Sequence, residues 1–285
     1  MIRPALKPYL DRLAAEYDHR FLDSDPIALV RRHRDPEDRE VVGLVASCLA
    51  YGNVATILGS VEDALSRLGS SPASALDRSS DADLLRRCRG FRHRFTRGRD
   101  LAALLAAARE MRRSHGSLRD FFLVGHDPGK ETVREALISF VDRVLDRDLS
   151  AFYARRPRPG DGIRFLLPSP REGSGCKRLN LFLRWMVRRD DGVDLGLWGE
   201  VPSRQLLMPV DTHVARIAGN IGLTSRRTPG WEMTEEITAS LRKLDPLDPV
   251  RYDFALCRLG ILDACPRRRD RIKCAACPIR RVCLL

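Results

Sequence analysis

No stretch of this 285-residue chain approaches the roughly 18 consecutive apolar residues that a membrane-spanning helix needs, so no transmembrane segment is expected. Also missing are an alternating strand pattern of convincing length, an internal repeat and a low-complexity tract. Met1 to Pro26 shows no basic start followed by an apolar core, so no secretory leader is expected and the chain reads as cytoplasmic. Reducing conditions there keep cysteines as free thiols or metal ligands rather than disulfides. What is present is 44% hydrophobic residues, enough to bury one large core or two modest ones. Over that core lies a formal charge of +12 with a pI near 9.8, which points to a polyanionic partner.

The charge is clustered. Arg86, Arg87, Arg89, Arg92, Arg94, Arg97 and Arg99 form one knot, and Arg267, Arg268, Arg269, Arg271, Lys273, Arg280 and Arg281 form a second. A single such run is ordinarily a solvated face. Two runs, one of them woven through terminal cysteines, favour contact with phosphates. Those cysteines are Cys265, Cys274, Cys277 and Cys283, in the order C-x8-C-x2-C-x5-C. Thiolates spaced this tightly can enclose an iron–sulfur cluster or a zinc ion, because each must reach one small centre from a short loop. Cys48, Cys88 and Cys176 stand alone and read as buried or incidental. Cys257, inside a helical pattern, reads as a core residue, with a ligand role as the alternative.

The pattern is helical almost throughout. Asp25-Pro26, Asp35-Pro36 and Asp248-Pro249 each set an N-cap acceptor before a proline at the first helical position, predicting three helix starts. Val41, Leu44, Val45, Cys48 and Leu49, and again Val133, Leu137, Phe140, Val141 and Val144, recur at helical spacing. Lys177 to Arg188 is apolar around most of its circumference, as suits a buried helix. Arg155 to Pro170, with four prolines, and Asp190 to Ser203, with three glycines, read as loops.

Two short segments carry candidate chemistry. Gly173-Ser174-Gly175-Cys176-Lys177 is a glycine turn opening into the buried helix, where backbone N–H groups can face a phosphate oxygen. On its own it reads as a plain loop-to-helix turn with no ligand. Pro209 to Ile217 places Asp211 as the N-cap of a helix carrying Val214, Ile217 and Ile221.

Taken together, V-D-T-H-V-A-R-I at 210–217 and the cysteine tail resemble the endonuclease III branch of the helix-hairpin-helix DNA glycosylase superfamily. The likeness extends to a bacterial subgroup that carries CKRLNLFLRWMVR. Gly173 to Lys177 matches that family's G-x-G-x-K hairpin, and Val41 to Ala64 its early helix pair, with Tyr51-Gly52-Asn53 at the turn facing an extruded nucleotide. The resemblance implies an all-α, two-lobed fold with a C-terminal iron–sulfur loop. Residues 36–205 would form one lobe, and 1–35 plus 206–285 the other. It implies excision of a damaged, flipped-out base from double-stranded DNA by a monomer associated with the nucleoid. Lys177 would be the amine nucleophile of a bifunctional glycosylase and lyase, and Asp211 the essential carboxylate. Gly173, Gly175, Asn53, Arg267, Arg268 and Arg269 would contact DNA. Cys265, Cys274, Cys277 and Cys283 would ligate a [4Fe-4S] cluster, with zinc as the alternative.

Three features depart from the family pattern. The first cysteine gap is x8 rather than x6, the span between Lys177 and Asp211 is longer, and no Leu-Pro pair directly precedes the hairpin glycines. The extra residues, 189–206, are expected to enlarge the base pocket or face DNA. Within them Trp198 is the tryptophan expected to touch DNA, Trp185 being core. His213 reads as a packing residue. Two other functions fit the same residues: a non-catalytic DNA-binding or damage-sensing protein on the same scaffold, and a zinc-stapled basic nucleic-acid-binding protein.

Overall fold

The computed structural model describes residues 6–262 and 264–285, so the first five residues of the segment 1–35 lie outside it. The described chain is mostly helical, as the spacing predicted. The helices are α1 (Leu6–Glu16), α2 (Ile27–Arg31), α3 (Pro36–Cys48), α4 (Val54–Ser66), α5 (Pro72–Asp77), α6 (Asp81–Arg87), α7 (Gly98–His115) and α8 (Leu118–Leu123). They continue as α9 (Arg134–Leu145), α10 (Gly162–Leu166), α11 (Lys177–Val187), α12 (Thr212–Asn220), α13 (Trp231–Arg242), α14 (Asp253–Ile261) and α15 (Lys273–Ala276).

Local chemistry sets several of these starts. Asp35 accepts the Glu37 N–H at 2.8 Å and Pro36 occupies the first turn, so α3 begins where the Asp-Pro pair predicted. Asn53 caps α4 in the same way through the Ala55 N–H. The Asp248-Pro249 pair behaves otherwise. Residues 249–252 form turns and α14 starts only at Asp253, because the Asp248 carboxylate accepts from Arg188 at 2.9 Å instead of capping a helix. The proline-rich stretch 155–170, predicted as loop, contains the short α10, and a two-residue antiparallel pairing of Arg92–His93 (β1) with Thr96–Arg97 (β2) adds a hairpin too short to show alternation.

At the centre lies α3, buried along Val41, Val42, Leu44, Val45 and Cys48 and packed against α2, α5, α7, α8 and α11. A second group joins α1 and α12 to α14. Between the groups, α2 packs on α3 while Asp25 just before it pairs with Arg258 of α14 at 2.9 Å. One contiguous apolar cluster runs from Leu6 to Val282 through both groups.

The insertion 189–206 does not face the cleft described below, contrary to expectation. Its backbone pairs with α11, Leu195 N–H to Trp185 O and Trp198 N–H to Met186 O, both at 2.8 Å. Trp198 has no exposed surface and donates its indole N–H to the buried Glu40 carboxylate at 2.7 Å, so it is a core residue and not a DNA contact. Asp194, equally inaccessible, pairs with Arg184 at 3.1 Å and with Arg188. The extra residues thus close over α11 and fix it.

Candidate active site

Between the two helix groups opens a cleft of about 590 Å³, within the roughly 300–1,000 Å³ typical of ligand sites. Lys177 and Asp211 both line it, each at the N-terminus of a different helix. Gly175, Asn53 and His213 line it too, whereas Gly173 does not.

Lys177 is the first residue of α11. The preceding Cys176 adopts a left-handed conformation (φ 46°), and its buried thiol contacts the Pro168 and Ser174 carbonyls, with burial pushing that thiol up to about 12. Gly173 is left-handed as well (φ 74°), and its carbonyl accepts from Trp231 N–H at 2.9 Å. A Cβ on Gly175 would stand 3.0 Å from Thr234 Oγ1 and 3.2 Å from the Gly230 carbonyl, so the turn lies flush against the start of α13. This fixed turn directs the Lys177 amine to the Ala50 carbonyl at 2.9 Å, across the cleft floor from α3.

Asp211 is the N-cap of α12 as predicted, and one oxygen does the capping: Oδ1 accepts from His213 N–H and Val214 N–H, both at 2.8 Å. Oδ2 has the Cys257 thiol at 3.9 Å. Cys257 is therefore a cleft-wall residue rather than a plain core one, and burial followed by the Asp211 charge pushes its thiol up to about 12. His213 packs against Gly260, where an added Cβ would come within 2.5 Å of it, as befits a packing residue.

The walls are charged. Arg184 of α11 and Asp253 of α14 both line the cleft and pair with each other, side chains almost fully buried. Burial raises the Asp253 carboxyl to about 6 against the pull of Arg184, and burial raises Asp194 as well. For Arg184 burial alone would disfavour the charge, but Asp194 and Asp253 outweigh it and its proton is held more tightly than usual. Arg178 lies over the rings of Phe165 (4.3 Å) and Tyr51 (5.3 Å) and donates to the Phe165 carbonyl, with burial loosening its proton. Arg178, Asp253 and Arg258 were not foreseen as cleft residues. The one hint for Arg178 was a second cation beside Lys177 at the head of an apolar helix.

The cysteine tail forms a separate site. Cys265, Cys274, Cys277 and Cys283 all line one cavity of about 150 Å³, together with Arg269. Burial, then the charges of neighbouring thiols, push Cys265 and Cys277 upward, so the sulfurs are electrostatic neighbours. Among the described residues no three His, Cys, Asp or Glu side chains stand as a set for one metal ion. The loop docks on α12, through Arg216 to the Cys265 carbonyl (2.8 Å) and Leu284 N–H to the Asn220 carbonyl (2.7 Å). Arg267, Arg268 and Arg269 are exposed there and do not line the cleft.

The family whose model matches is Protein of unknown function (DUF2400), over residues 25–262, and the chain belongs to it. The match takes in Lys177 and Asp211 and stops short of the four tail cysteines. No curated protein matches the chain.

Proposed function

We propose that this member of the DUF2400 family is a DNA base-excision glycosylase of helix-hairpin-helix type, acting as a monomer on a damaged base in duplex DNA. The supporting observation is the convergence of Lys177 and Asp211, 34 positions apart, on one cleft floored by a rigid glycine turn. A base inside a duplex is out of reach, so a nucleotide would be turned out into the cleft. Breaking its N-glycosidic bond builds positive charge on the sugar, and the Asp211 carboxylate, with Oδ2 not used for capping, stabilises that charge. The Lys177 amine, once deprotonated, attacks the anomeric carbon as the base departs with the bonding pair. The C1′–O4′ bond then opens, O4′ taking the proton that the nitrogen gives up, to leave a Schiff base, and loss of a C2′ proton expels the 3′ phosphate with its bonding pair. The exposed arginines supply the sequence-independent grip.

Cys265, Cys274, Cys277 and Cys283 would hold a [4Fe-4S] cluster, whose part is to staple the tail against α12 and so steady the helix that Asp211 caps. A brown protein with broad visible absorption and about four irons per chain is expected. Colourless zinc protein would refute the cluster and leave the cleft chemistry standing.

The direct test is base release from a panel of damaged duplexes. Asp211→Asn should abolish release while DNA binding survives, and borohydride should trap a covalent adduct that Lys177→Gln removes. Unchanged release in Asp211→Asn would end the proposal. The hydrogen bond from Lys177 to Ala50 supports one variant reading, in which the lysine stays a positioning cation and water attacks instead. In that case release persists and no adduct forms.

A further inference from the structure

We infer that the β1–β2 hairpin is a stacking arm: Phe95 at its tip inserts among the bases of a duplex lying across the cleft, while Arg92, Arg94 and Arg97 hold the phosphates beside it. The inference rests on the DNA reading above and goes beyond it, since it assigns a contact element that neither the cleft nor the cysteine tail contains.

Exposure is the first observation. Phe95 is 70% exposed, although a ring of that size is more stable buried. Strain is the second. Arg94 and Phe95 form a two-residue turn in which Arg94 takes φ 49°, a left-handed position that hairpins ordinarily give to glycine. An exposed ring on a strained turn is costly to the free protein, which is the signature of a residue kept for a partner.

Charge identifies the partner. Arg92, Arg94 and Arg97 are exposed, and among the described residues none of the three makes an ion pair, whereas nearby Arg67 and Arg86 pair with Asp63 and Asp83. The Arg94 guanidinium lies 5.5 Å from the centre of the Phe95 ring. An exposed aromatic ring with one guanidinium beside it, and two more without ion pairs on the strands behind it, fits stacked bases flanked by phosphates, the combination used by wedge residues that part base steps.

Anchorage is the last observation. His93 is held between Ser60 Oγ (2.8 Å) and the Tyr51 carbonyl (3.0 Å), and the Tyr51 hydroxyl reaches the His93 carbonyl (2.9 Å) and Thr96 Oγ1 (2.6 Å). The Arg94 side chain lies on Gly52, where a Cβ would come within 2.9 Å of it. From the tip, Phe95, Phe165 and Tyr51 follow at 6.2 and 5.1 Å between centres, and the last two line the cleft. The arm is therefore fixed to the rim of the site it would serve.

The test uses the full chain and two labelled duplexes of one sequence, one undamaged and one with a tetrahydrofuran abasic site, in anisotropy titrations over a range of salt. Phe95→Ala should keep the wild-type melting temperature and weaken abasic-site binding about tenfold, the loss of one stacked ring. The slope of log affinity against log salt should not change, and Phe95→Trp should restore binding. Replacing Arg92, Arg94 and Arg97 together by Gln should reduce that slope by about two to three. Abasic-site binding by Phe95→Ala within twofold of wild type overturns the stacking arm and leaves the DNA reading intact. Wild type that binds neither duplex overturns both.

Discussion

Removing Arg184 tests how the two cleft walls are held apart. Its guanidinium joins Asp194 and Asp253, with all three side chains at most 3% exposed, and so ties the helix that begins with Lys177 to the one carrying Cys257. In Arg184→Met, Asp194 keeps Arg188, but Asp253 keeps no ion pair among the described residues, only the more distant charge of Lys177. Leaving a charge buried and unpaired costs about 3–5 kcal/mol, a large part of the roughly 5–15 kcal/mol that holds a domain folded, and corresponds to a fall of about 6–20 °C in melting temperature. The loss must depend on pH. Asp253 titrates near 6 in the fold against an ordinary 3.8, so the native state binds more protons than the unfolded chain between those values, and stability falls as pH rises through that window. Without Arg184 the carboxyl rises further and the window extends upward. Urea unfolding at pH 5 and pH 8 should therefore show a larger deficit at pH 8, and the double variant Arg184→Met with Asp253→Leu should recover most of it. A deficit below about 1 kcal/mol, or one equal at both pH values, would refute the account of the network.

Trp198→Phe keeps one aromatic ring but removes the donor to Glu40, whose carboxyl burial already raises, and part of the buried indole volume, so chemical unfolding should show a loss of at least about 1.5–3 kcal/mol with base release retained. Gly175→Ala sets a methyl against Thr234 and Gly230 and should lower catalytic turnover well beyond any change in melting temperature, because the shift is passed to Lys177. Cys257 lines the cleft, yet its thiol titrates near 12. Alkylation by iodoacetamide at pH 7.5 should be slow, and removing the Asp211 charge by Asp211→Asn should speed it.

The sequence made the helices legible wherever cap and periodicity act locally, as at Asp35 and Asp211. It misled where a distant partner claims the capping group: Asp248 answers to Arg188, sixty residues away. Trp198 failed for the same reason. Gly192, Gly196 and Gly199 around it read as an exposed loop, and nothing nearby announces that Glu40, 158 positions earlier, waits as its acceptor. Lys177 and Asp211 could each be picked out from a short segment, but their sharing of one cleft depends on how α11 and α12 meet α3 and α14, which no local pattern encodes. The arginine knot at 86–99 was visible as charge. That its middle, 92–97, folds into a hairpin was not, since two residues per strand leave no alternation to read.

The single apolar cluster that runs through both helix groups, riveted by Arg184 and Arg258, leaves the molecule little compliance at its jaws. A stiff receptor of that kind shifts the burden of deformation to whatever enters it. On the DNA reading proposed above, duplexes already weakened by a nick, a mismatch or a soft pyrimidine–purine step would then seat more cheaply than intact ones, and mechanical pliancy would sort candidate lesions before any functional group on the base is inspected.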